Sequence, residues 1–439
     1  MLGHAALGDA MHDLAAELFL LARSLSGPGY RETLRRLEQV SGPMTRHRFA
    51  SGERVLDWEV PQEWTIRDAW IKAPDGSTVV AFADCNLHVV GYSVPVHRRL
   101  GLGELQKHLH SLPGQPSAIP YRTSYYAERW GFCLPDEVRR ALPCGQYEVL
   151  IDADLQAGEI ELGEVVIEGA GDEEVLLWTY CCHPSMANNE LSGPVVAAHL
   201  AALLRDRATP PRHTYRVVFA PETIGALAYL SRFGERLSQR LAAGYVLTCV
   251  GDPGRFTYKR SRRGDSLADR VAEHVLACGG DEHRVLDFEP VGSDERQFCS
   301  PGYDLPVGSL MRSMYGTYPE YHTSLDDLSL ITPRALGESL DAYARIVEAL
   351  EANDTLTGTV LYGEPQLGRR GLYPSTGGRS DALSAGRQRD MMLLLNRCDG
   401  SVDLLEIARR SGRPLTELAA TADLLREHDL LRPVRRAGA

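Results

Sequence analysis

The 439-residue sequence contains no apolar run long enough to span a bilayer, and its first residues lack the charged and apolar regions of a signal peptide. We therefore expect a cytoplasmic protein without a membrane partner. The nine cysteines are an odd number, and none of them belongs to a CxxC pair. Scattered cysteines of this kind are typical of reduced thiols in a cytosolic protein.

Several catalytic motifs are also missing. The absence of GxSxG argues against a serine hydrolase, and the absence of GxGxxG and Walker A sequences argues against dinucleotide or P-loop chemistry. No HxxE or HExxH pair lies on one helix face. Any metal site must therefore be assembled from separate parts of the chain.

The composition is that of an ordinary globular protein, with 44% hydrophobic and 24% charged residues. The net charge of −12 argues against a nucleic-acid footprint spread over the surface. One basic run, Lys259–Arg263, is interpreted as a solvated loop. We expect no nucleic-acid partner.

Strands and helices alternate between residues 130 and 352, which predicts a mixed, mainly parallel sheet covered by helices on both faces. Strands are predicted at Tyr147–Ile151, Glu159–Ile167, Val175–Cys182, Tyr215–Ala220, Tyr245–Val250 and Leu305–Met311. Helices are predicted at Gly193–Leu204, Ile224–Leu241, Ser266–Cys278 and Pro333–Ala352. With residues 1–52, this region forms the predicted catalytic domain of an α/β protein.

Three further regions differ from this domain in composition and in predicted secondary structure. Residues 53–129 contain short strands and turns, which predicts an inserted β-rich domain that acts as a lid or as a dimer contact. Residues 353–386 are rich in Gly and Pro and are interpreted as a linker. Residues 387–439 contain three short amphipathic helices and a closing strand, a winged-helix-like plan. The third of these helices offers little chemistry for reading bases, so we expect protein contacts.

Four polar segments fall at predicted strand ends: His183 with Asn188, Asn189 and Glu190; Glu222; Asp294-Glu295-Arg296; and Tyr321-His322 with Asp326 and Asp327. Two His and several carboxylates at strand-to-helix junctions can converge on one pocket. Such a donor set suits a borderline divalent ion such as Zn²⁺.

Each of these residues also has a structural interpretation. Glu222 can be a carboxylate stabilised by a helix N-terminus, and His183 and His322 can be hydrogen-bonded core histidines. Glu190 can be a solvated charge at a helix start, and Arg296 and Arg312 can pair with nearby acids. The joint occurrence of the four segments, and no single motif, favours a site.

These segments resemble the zinc aminopeptidase-like proteins related to peptidase family M28, and within them a bacterial group once described only as a domain of unknown function. The resemblance rests on the stretches His183–Pro194, Pro221–Gly225, Gly292–Gln297 and Pro319–Ser324. It extends to the insert through Trp58–Pro61, Asn86–Ser93 and Ile119–Tyr126, and to the winged-helix tail. The implied fold is a phosphorylase/hydrolase-like mixed sheet of the zinc exopeptidase type.

The resemblance also implies site residues, with departures. His183 and His322 match the two His ligands of the classical two-zinc enzymes, and Glu222 matches their general base. Thr223 replaces a zinc-binding Glu, Asn189 replaces the bridging Asp, and the last Asp falls near Thr248. The resemblance therefore implies about one zinc per chain. His183, His322 and a carboxylate would hold it, with Glu190 preferred over Asn189 or Asp252.

The implied activity is metal-dependent hydrolysis of an amide bond in a peptide or an aminoacylated small molecule, for instance in a biosynthetic pathway. Asp294, Glu295 and Arg296 would orient the substrate, with Tyr321 or Arg312 as oxyanion partners. Two alternatives stay open: an acyltransferase or cyclase on the same fold, and a non-catalytic binding or regulatory protein. A homo-oligomer is compatible with all three.

Overall fold

The computed structural model describes residues 5–372 and 382–434. The chain divides into two compact units, one formed by residues 1–269 and 282–341 and the other by residues 270–281 and 342–439. Among the described helices, none is both long and apolar enough to cross a membrane.

The strands are β1 Thr45–Ala50, β2 Arg54–Val55, β3 Trp58–Glu59, β4 Glu63–Lys72, β5 Thr78–Ala81, β6 Val96–Gly101, β7 Leu109–His110, β8 Phe132–Cys133, β9 Gln146–Gln156, β10 Glu159–Ile167, β11 Glu174–Tyr180, β12 Thr214–Ala220, β13 Leu241–Leu247, β14 Phe256–Lys259, β15 His283–Leu286, β16 Val307–Met311, β17 Thr355–Gly358, β18 Asp399–Asp403 and β19 Leu431–Pro433. The α-helices are α1 Ala5–Phe19, α2 Pro28–Ser41, α3 Leu102–Leu105, α4 Asp136–Arg140, α5 Ser192–Arg205, α6 Ile224–Arg240, α7 Leu267–Gly279, α8 Glu295–Phe298, α9 Pro333–Ala352, α10 Ala382–Arg397, α11 Leu404–Ser411 and α12 Leu415–Glu427.

The first unit is built on an eight-stranded sheet in the order β1-β10-β12-β11-β13-β16-β14-β15. The four strands β12, β11, β13 and β16 run parallel, while β10 and β14 join them antiparallel on either side. Every residue of β11 and β12 is buried, as expected for central strands covered on both faces. The predicted mixed α/β sheet is therefore confirmed.

The N-terminal end of α5 lies directly against the sheet because residue 193 is glycine. A Cβ atom at Gly193 would lie 2.2 Å from the carbonyl oxygen of Leu247 and 2.6 Å from Oγ1 of Thr179. Both distances are too short for a side chain, so only glycine permits this approach. The π-helical turn Ala187–Leu191, which precedes α5, is thereby fixed at the ends of β11 and β13.

A second, four-stranded sheet has the order β5-β4-β9-β6. Its long strand β9 lies outside the predicted insert, 53–129, yet it pairs with β4 over residues 148–156 and with β6 over residues 146–151. The predicted boundary is therefore wrong at its C-terminal side. Residues of β9 alternate between buried and exposed, which is the pattern of a sheet with one covered face.

The second unit contains the three-stranded sheet β18-β17-β19 and the helices α10 to α12. Asp403 caps α11 by accepting a hydrogen bond from the Glu406 backbone N–H at 2.8 Å, and Gly412 ends the helix in the left-handed conformation. The predicted linker 353–386 needs correction, because Thr355–Gly358 is a strand of this sheet and α10 begins at Ala382. Residues 373–381 of that stretch lie outside the described residues.

Candidate active site

Three neighbouring parallel strands end at the same edge of the large sheet, as β11 ends at Tyr180, β12 at Ala220 and β13 at Leu247. His183 and Glu222 follow the first two of these ends. Ligand and catalytic groups of open α/β sheets gather at the carboxyl ends of the strands. This edge is the candidate active site.

The backbone at this edge is strained. Thr223 has φ 62° and ψ −72°, and the Ile224 N–H donates a hydrogen bond to the Glu222 carbonyl at 2.7 Å. This is a γ-turn of the rare, strained form, and a β-branched residue at its centre is exceptional. Ser185, Cys249 and His322 also have positive φ values. Strain of this kind persists where the surroundings enforce it, often at functional sites.

A carboxylate holds the His183 imidazole from one side. Glu190 is fully buried, with one carboxylate oxygen 2.6 Å from Nδ1 of His183 and the other accepting the His183 backbone N–H at 2.6 Å. The guanidinium of Arg23 donates to the His183 carbonyl at 3.0 Å. These contacts fix the ring so that Nε2 lies on the side of Glu222, 3.4 Å from its carboxylate oxygen. Burial lowers the pKa of His183, but Glu190 and Glu222 together raise it above its ordinary value.

Glu222 is the most exposed member of this group, with 22% of its side chain accessible. Its backbone N–H donates to Sγ of Cys182 at 3.2 Å, which anchors the residue beside the end of β11. Burial raises the pKa of the Glu222 carboxyl; the His183 charge opposes this shift and the Asp294 charge adds to it. A carboxyl group whose pKa is raised towards neutrality is suited to taking and returning a proton.

His322 supplies a second imidazole. Its ring centre lies 5.4 Å from that of His183, and Tyr121 packs against both rings at 4.7 and 5.2 Å. The ring of Tyr321 stacks on His322 at 3.9 Å. Burial, together with the charge of His183, lowers the pKa of His322 to about 3, so this imidazole is neutral at physiological pH.

The donors at this edge fit one zinc ion better than two. Asn189 and Thr223 stand where a two-zinc site needs carboxylates. Two imidazoles bound to one tetrahedral zinc at about 2.0–2.1 Å have ring centres roughly 5 Å apart, which is compatible with the spacing of His183 and His322. Within the described ranges, Cys182, His183 and Glu190 are the group of three donors within 4.8 Å of one another.

That group of three is a poor ligand set, however. One Glu190 oxygen lies 2.6 Å from Nδ1 of His183, and Sγ of Cys182 accepts the Glu222 backbone N–H at 3.2 Å. The two imidazoles are therefore the better candidates for metal ligands, and the Glu222 carboxylate lies 3.4 Å from Nε2 of His183.

Two of the predicted third ligands have other partners. Glu190, the preferred one, lies on the Nδ1 side of His183 and orients that ring, as outer carboxylates do for metal-binding histidines. Asp252 accepts hydrogen bonds from Asn188, Gly254 and Ser313 at 2.6–3.1 Å, and so organises a loop. Its carboxylate is fully engaged by the protein.

Asp294 and Arg296 brace the strained turn beneath Glu222. The Asp294 carboxylate accepts the Thr223 backbone N–H and the Trp178 indole N–H, both at 2.7 Å, and its burial raises its pKa. Arg296 donates to the Thr223 hydroxyl at 3.2 Å. Asp294 therefore holds Thr223 through its backbone and Arg296 holds it through its hydroxyl, and their predicted role of orienting substrate stays a prediction.

Glu295 and Arg312 belong to separate buried networks, and we correct their predicted roles. Glu295 accepts hydrogen bonds from Lys259 at 2.8 Å and Tyr315 at 2.6 Å. Arg312 donates to Ser339, to the Gly254 carbonyl and to Glu338. Both side chains are buried and held by protein partners, which argues against their predicted contacts with substrate. Tyr321 remains the candidate oxyanion partner, and burial raises the pKa of its phenol, which stays a donor.

Sequence reasoning missed one residue of the site. Arg23 is 1% exposed and binds the His183 carbonyl from the segment between α1 and α2. An arginine in an otherwise apolar, helix-like stretch is the signal that could have found it. Asp326, which belongs to the fourth predicted polar segment and could also be a plain cap, accepts the backbone N–H groups of Ala187, Asn188 and Asn189 at 2.6–3.1 Å.

Comparison with known proteins agrees with this architecture. The model of the family described as a domain of unknown function (DUF4910) matches residues 12–353, and a winged helix-turn-helix model matches residues 354–433. A protein of Clostridium acetobutylicum named "putative polysaccharide biosynthesis protein with aminopeptidase-like domain" is 43% identical over 427 residues, 97% of each chain.

Solved structures give the same result. The crystal structure of a putative peptidase from Clostridium acetobutylicum superposes with a TM-score of 0.92 at 41% identity, over 98% of both chains. A zinc aminopeptidase from Bacillus subtilis superposes with a TM-score of 0.56 at 14% identity, over 78% of this chain and 94% of that one. The second likeness shows the fold alone. The predicted aminopeptidase-like family and the winged-helix domain are thus confirmed.

Proposed function

This chain belongs to the DUF4910 family, and from its aminopeptidase-like fold we propose that it is a metal-dependent hydrolase that cleaves an amide bond. The substrate is a peptide or an aminoacylated small molecule. The printed name of the Clostridium acetobutylicum relative supports a role in polysaccharide biosynthesis.

One observation carries this proposal: the partly exposed Glu222 carboxylate lies beside the buried His183 imidazole, whose ring centre is 5.4 Å from that of His322. A zinc ion held by His183 and His322 would polarise the amide carbonyl and acidify the attacking water. Glu222 takes the proton of that water and later delivers it to the leaving amine. Tyr321 donates a hydrogen bond to the carbonyl oxygen as negative charge develops there.

The test compares the protein with its Glu222→Gln variant after zinc is supplied. We expect the wild type to hydrolyse at least one member of a panel of aminoacyl amides, and the variant to lose about a thousandfold or more in kcat/KM. The zinc content and melting temperature of the variant should stay unchanged, because the amide keeps the shape of the carboxylate.

Three outcomes would contradict the proposal in distinct ways. Full activity in the variant would remove Glu222 as the base. Loss of zinc from the variant would make Glu222 a ligand. Zinc binding without turnover of any amide would favour the alternative of a binding or regulatory protein. The absence of carboxylates at positions 189 and 223 supports that alternative.

A further inference from the structure

A cleft of about 340 Å³ opens in the first unit beside the candidate active site. Its volume lies in the range of small-molecule sites, roughly 300–1,000 Å³. The lining residues that matter here are Glu59, Tyr92, Tyr125, Tyr126, Glu128 and Leu155. Most of these residues lie in the insert that the sequence predicts to be a lid or a dimer contact.

The cleft is connected to the histidines through two tyrosines. The hydroxyl of Tyr125, which lines the cleft, is 2.9 Å from the hydroxyl of Tyr121. The ring of Tyr121 in turn packs on both His183 and His322. A molecule bound in the cleft therefore lies next to the tyrosine pair that flanks the proposed zinc ligands.

The aromatic walls of the cleft are held in place. Tyr92 has φ 64°, stacks on Trp64 at 5.8 Å and lies within hydrogen-bond distance of Ser26 at 3.1 Å. Its ring meets Tyr125 edge to face at 5.1 Å. Tyr126 is 58% exposed, and its hydroxyl donates to the Glu59 carbonyl at 2.8 Å. The walls thus present rigid aromatic surface at little conformational cost.

The charge of the cleft has one sign. Glu59 and Glu128 line it and are exposed, and no lysine, arginine or histidine is among its lining residues. By contrast, Glu53 on the same side of the insert pairs with Arg232. Carboxylates beside aromatic rings attract a cation through both Coulomb and cation–π interactions.

We propose that this cleft binds a protonated amine of the substrate, at a position remote from the amide that is cleaved. The inference rests on the proposed function in placing that amide at Glu222. Two kinds of substrate carry such a group: a basic aminoacyl group such as lysyl, and an amino sugar. The ring faces of Tyr125 and Tyr126 contact the cation, and Glu59 and Glu128 neutralise it.

The experiment measures binding in the Glu222→Gln variant, so that hydrolysis does not interfere. Calorimetric titration compares lysinamide with norleucinamide, which lacks the side-chain amine, and glucosamine with uncharged N-acetylglucosamine. We expect at least one amine to bind about tenfold or more tightly than its matched control. The pair that shows the difference identifies the aminoacyl or the sugar source.

The additional substitutions Glu59→Gln and Glu128→Gln, made together, should remove this preference while the melting temperature stays unchanged. Asp57→Asn, an exposed acid on the neighbouring turn that does not line the cleft, should keep it. Equal binding of amine and control in both pairs, or an unchanged preference in the double variant, would overturn the proposal. Failure of the proposed function would be seen in a different measurement, in which the wild-type protein with zinc hydrolyses none of the amides.

Discussion

Two histidines, His47 and His183, contact buried glutamates of the first unit, and the surroundings of the two pairs differ. His47 of β1 contacts Glu164 of β10 at 2.7 Å, and His183 at the end of β11 contacts Glu190 at 2.6 Å. The first pair lies along the strands, whereas the second lies at their carboxyl ends. Their surroundings differ most in the balance of charge.

Around Glu164 the positive groups satisfy the carboxylate. Arg216 and Tyr229 each donate to it at 2.7 Å, and Arg216 also binds Glu174. Although burial raises the pKa of Glu164, the hydrogen bonds and charges of His47, Arg216 and Tyr229 lower it to about 2. A carboxylate with this many donors has a structural role.

Around His183 two carboxylates, Glu190 and Glu222, are in contact and Asp294 lies nearby, while Arg23 and Arg296 bind backbone and hydroxyl groups instead of pairing with them. The pKa values of Glu222 and Asp294 are raised mainly by burial. Keeping such groups together costs free energy unless a cation or a proton compensates them. The difference between the two pairs therefore marks the strand ends as the functional region.

The largest expected effect is on metal content. His183→Ala and His322→Ala should each lose the zinc bound by the purified protein, because each removes one of only two imidazole donors at the site. His47→Ala is the matched control, since it removes a partly buried imidazole that has its own carboxylate. Mass spectrometry of the metal content checks this. If the wild type and the three variants contained equal amounts of zinc, neither His183 nor His322 would be a zinc ligand.

The His47–Glu164 pair should affect the stability of the protein and not its metal content. Glu164→Gln removes one of the two buried carboxylates that bind Arg216, leaving Glu174 alone, and should lower the free energy of unfolding by about 3–5 kcal/mol. Chemical denaturation at pH 7 measures the loss, and the zinc content should not change. A loss below about 1 kcal/mol, the level of a surface pair, would contradict the structural role.

This contribution should also depend on pH in one direction. The ordinary pKa of Glu164 is 4.5 and its folded value is about 2. The stabilisation is therefore fully present above pH 4.5 and is lost as the pH falls towards 2. The difference in unfolding free energy between wild type and Glu164→Gln should shrink over that interval. A constant difference would show that this carboxylate titrates normally.

A smaller effect on zinc binding is expected from Glu190, which contacts the proposed zinc ligand His183. Glu190→Gln keeps a hydrogen-bond acceptor near Nδ1 of His183 but removes the charge, and should weaken zinc binding about 10–100-fold. Competition with a chelator measures the dissociation constant. Complete loss of zinc would instead make Glu190 a direct ligand, as the sequence suggested. Glu190→Asp should show whether the charge or the reach of the side chain matters.

The sequence predicted the framework of the site well because strand ends carry local signals. Four buried runs end at polar residues, and helix α9 has the predicted bounds Pro333–Ala352. Strands β1, β14 and β15 were missed: β1 and β15 have few buried residues and no apolar run, and β14, although buried, is only four residues long. The sequence could not show which nitrogen of His183 each glutamate meets, nor that Arg23 reaches it from a distant segment. These contacts depend on tertiary packing alone.

The smallest expected effect concerns the strained turn at Thr223, and it tests whether the strand ends store backbone strain. Thr223→Ala and Thr223→Gly both remove the hydroxyl that accepts a hydrogen bond from Arg296, so that loss cancels between them. Only glycine adopts φ 62°, ψ −72° without a Cβ penalty, and it should be more stable than alanine by about 1 kcal/mol in denaturant unfolding. A more stable alanine variant would mean that the turn relaxes once threonine is removed. Glycine should also lower kcat, because the turn that aims Glu222 then loses its stiffness.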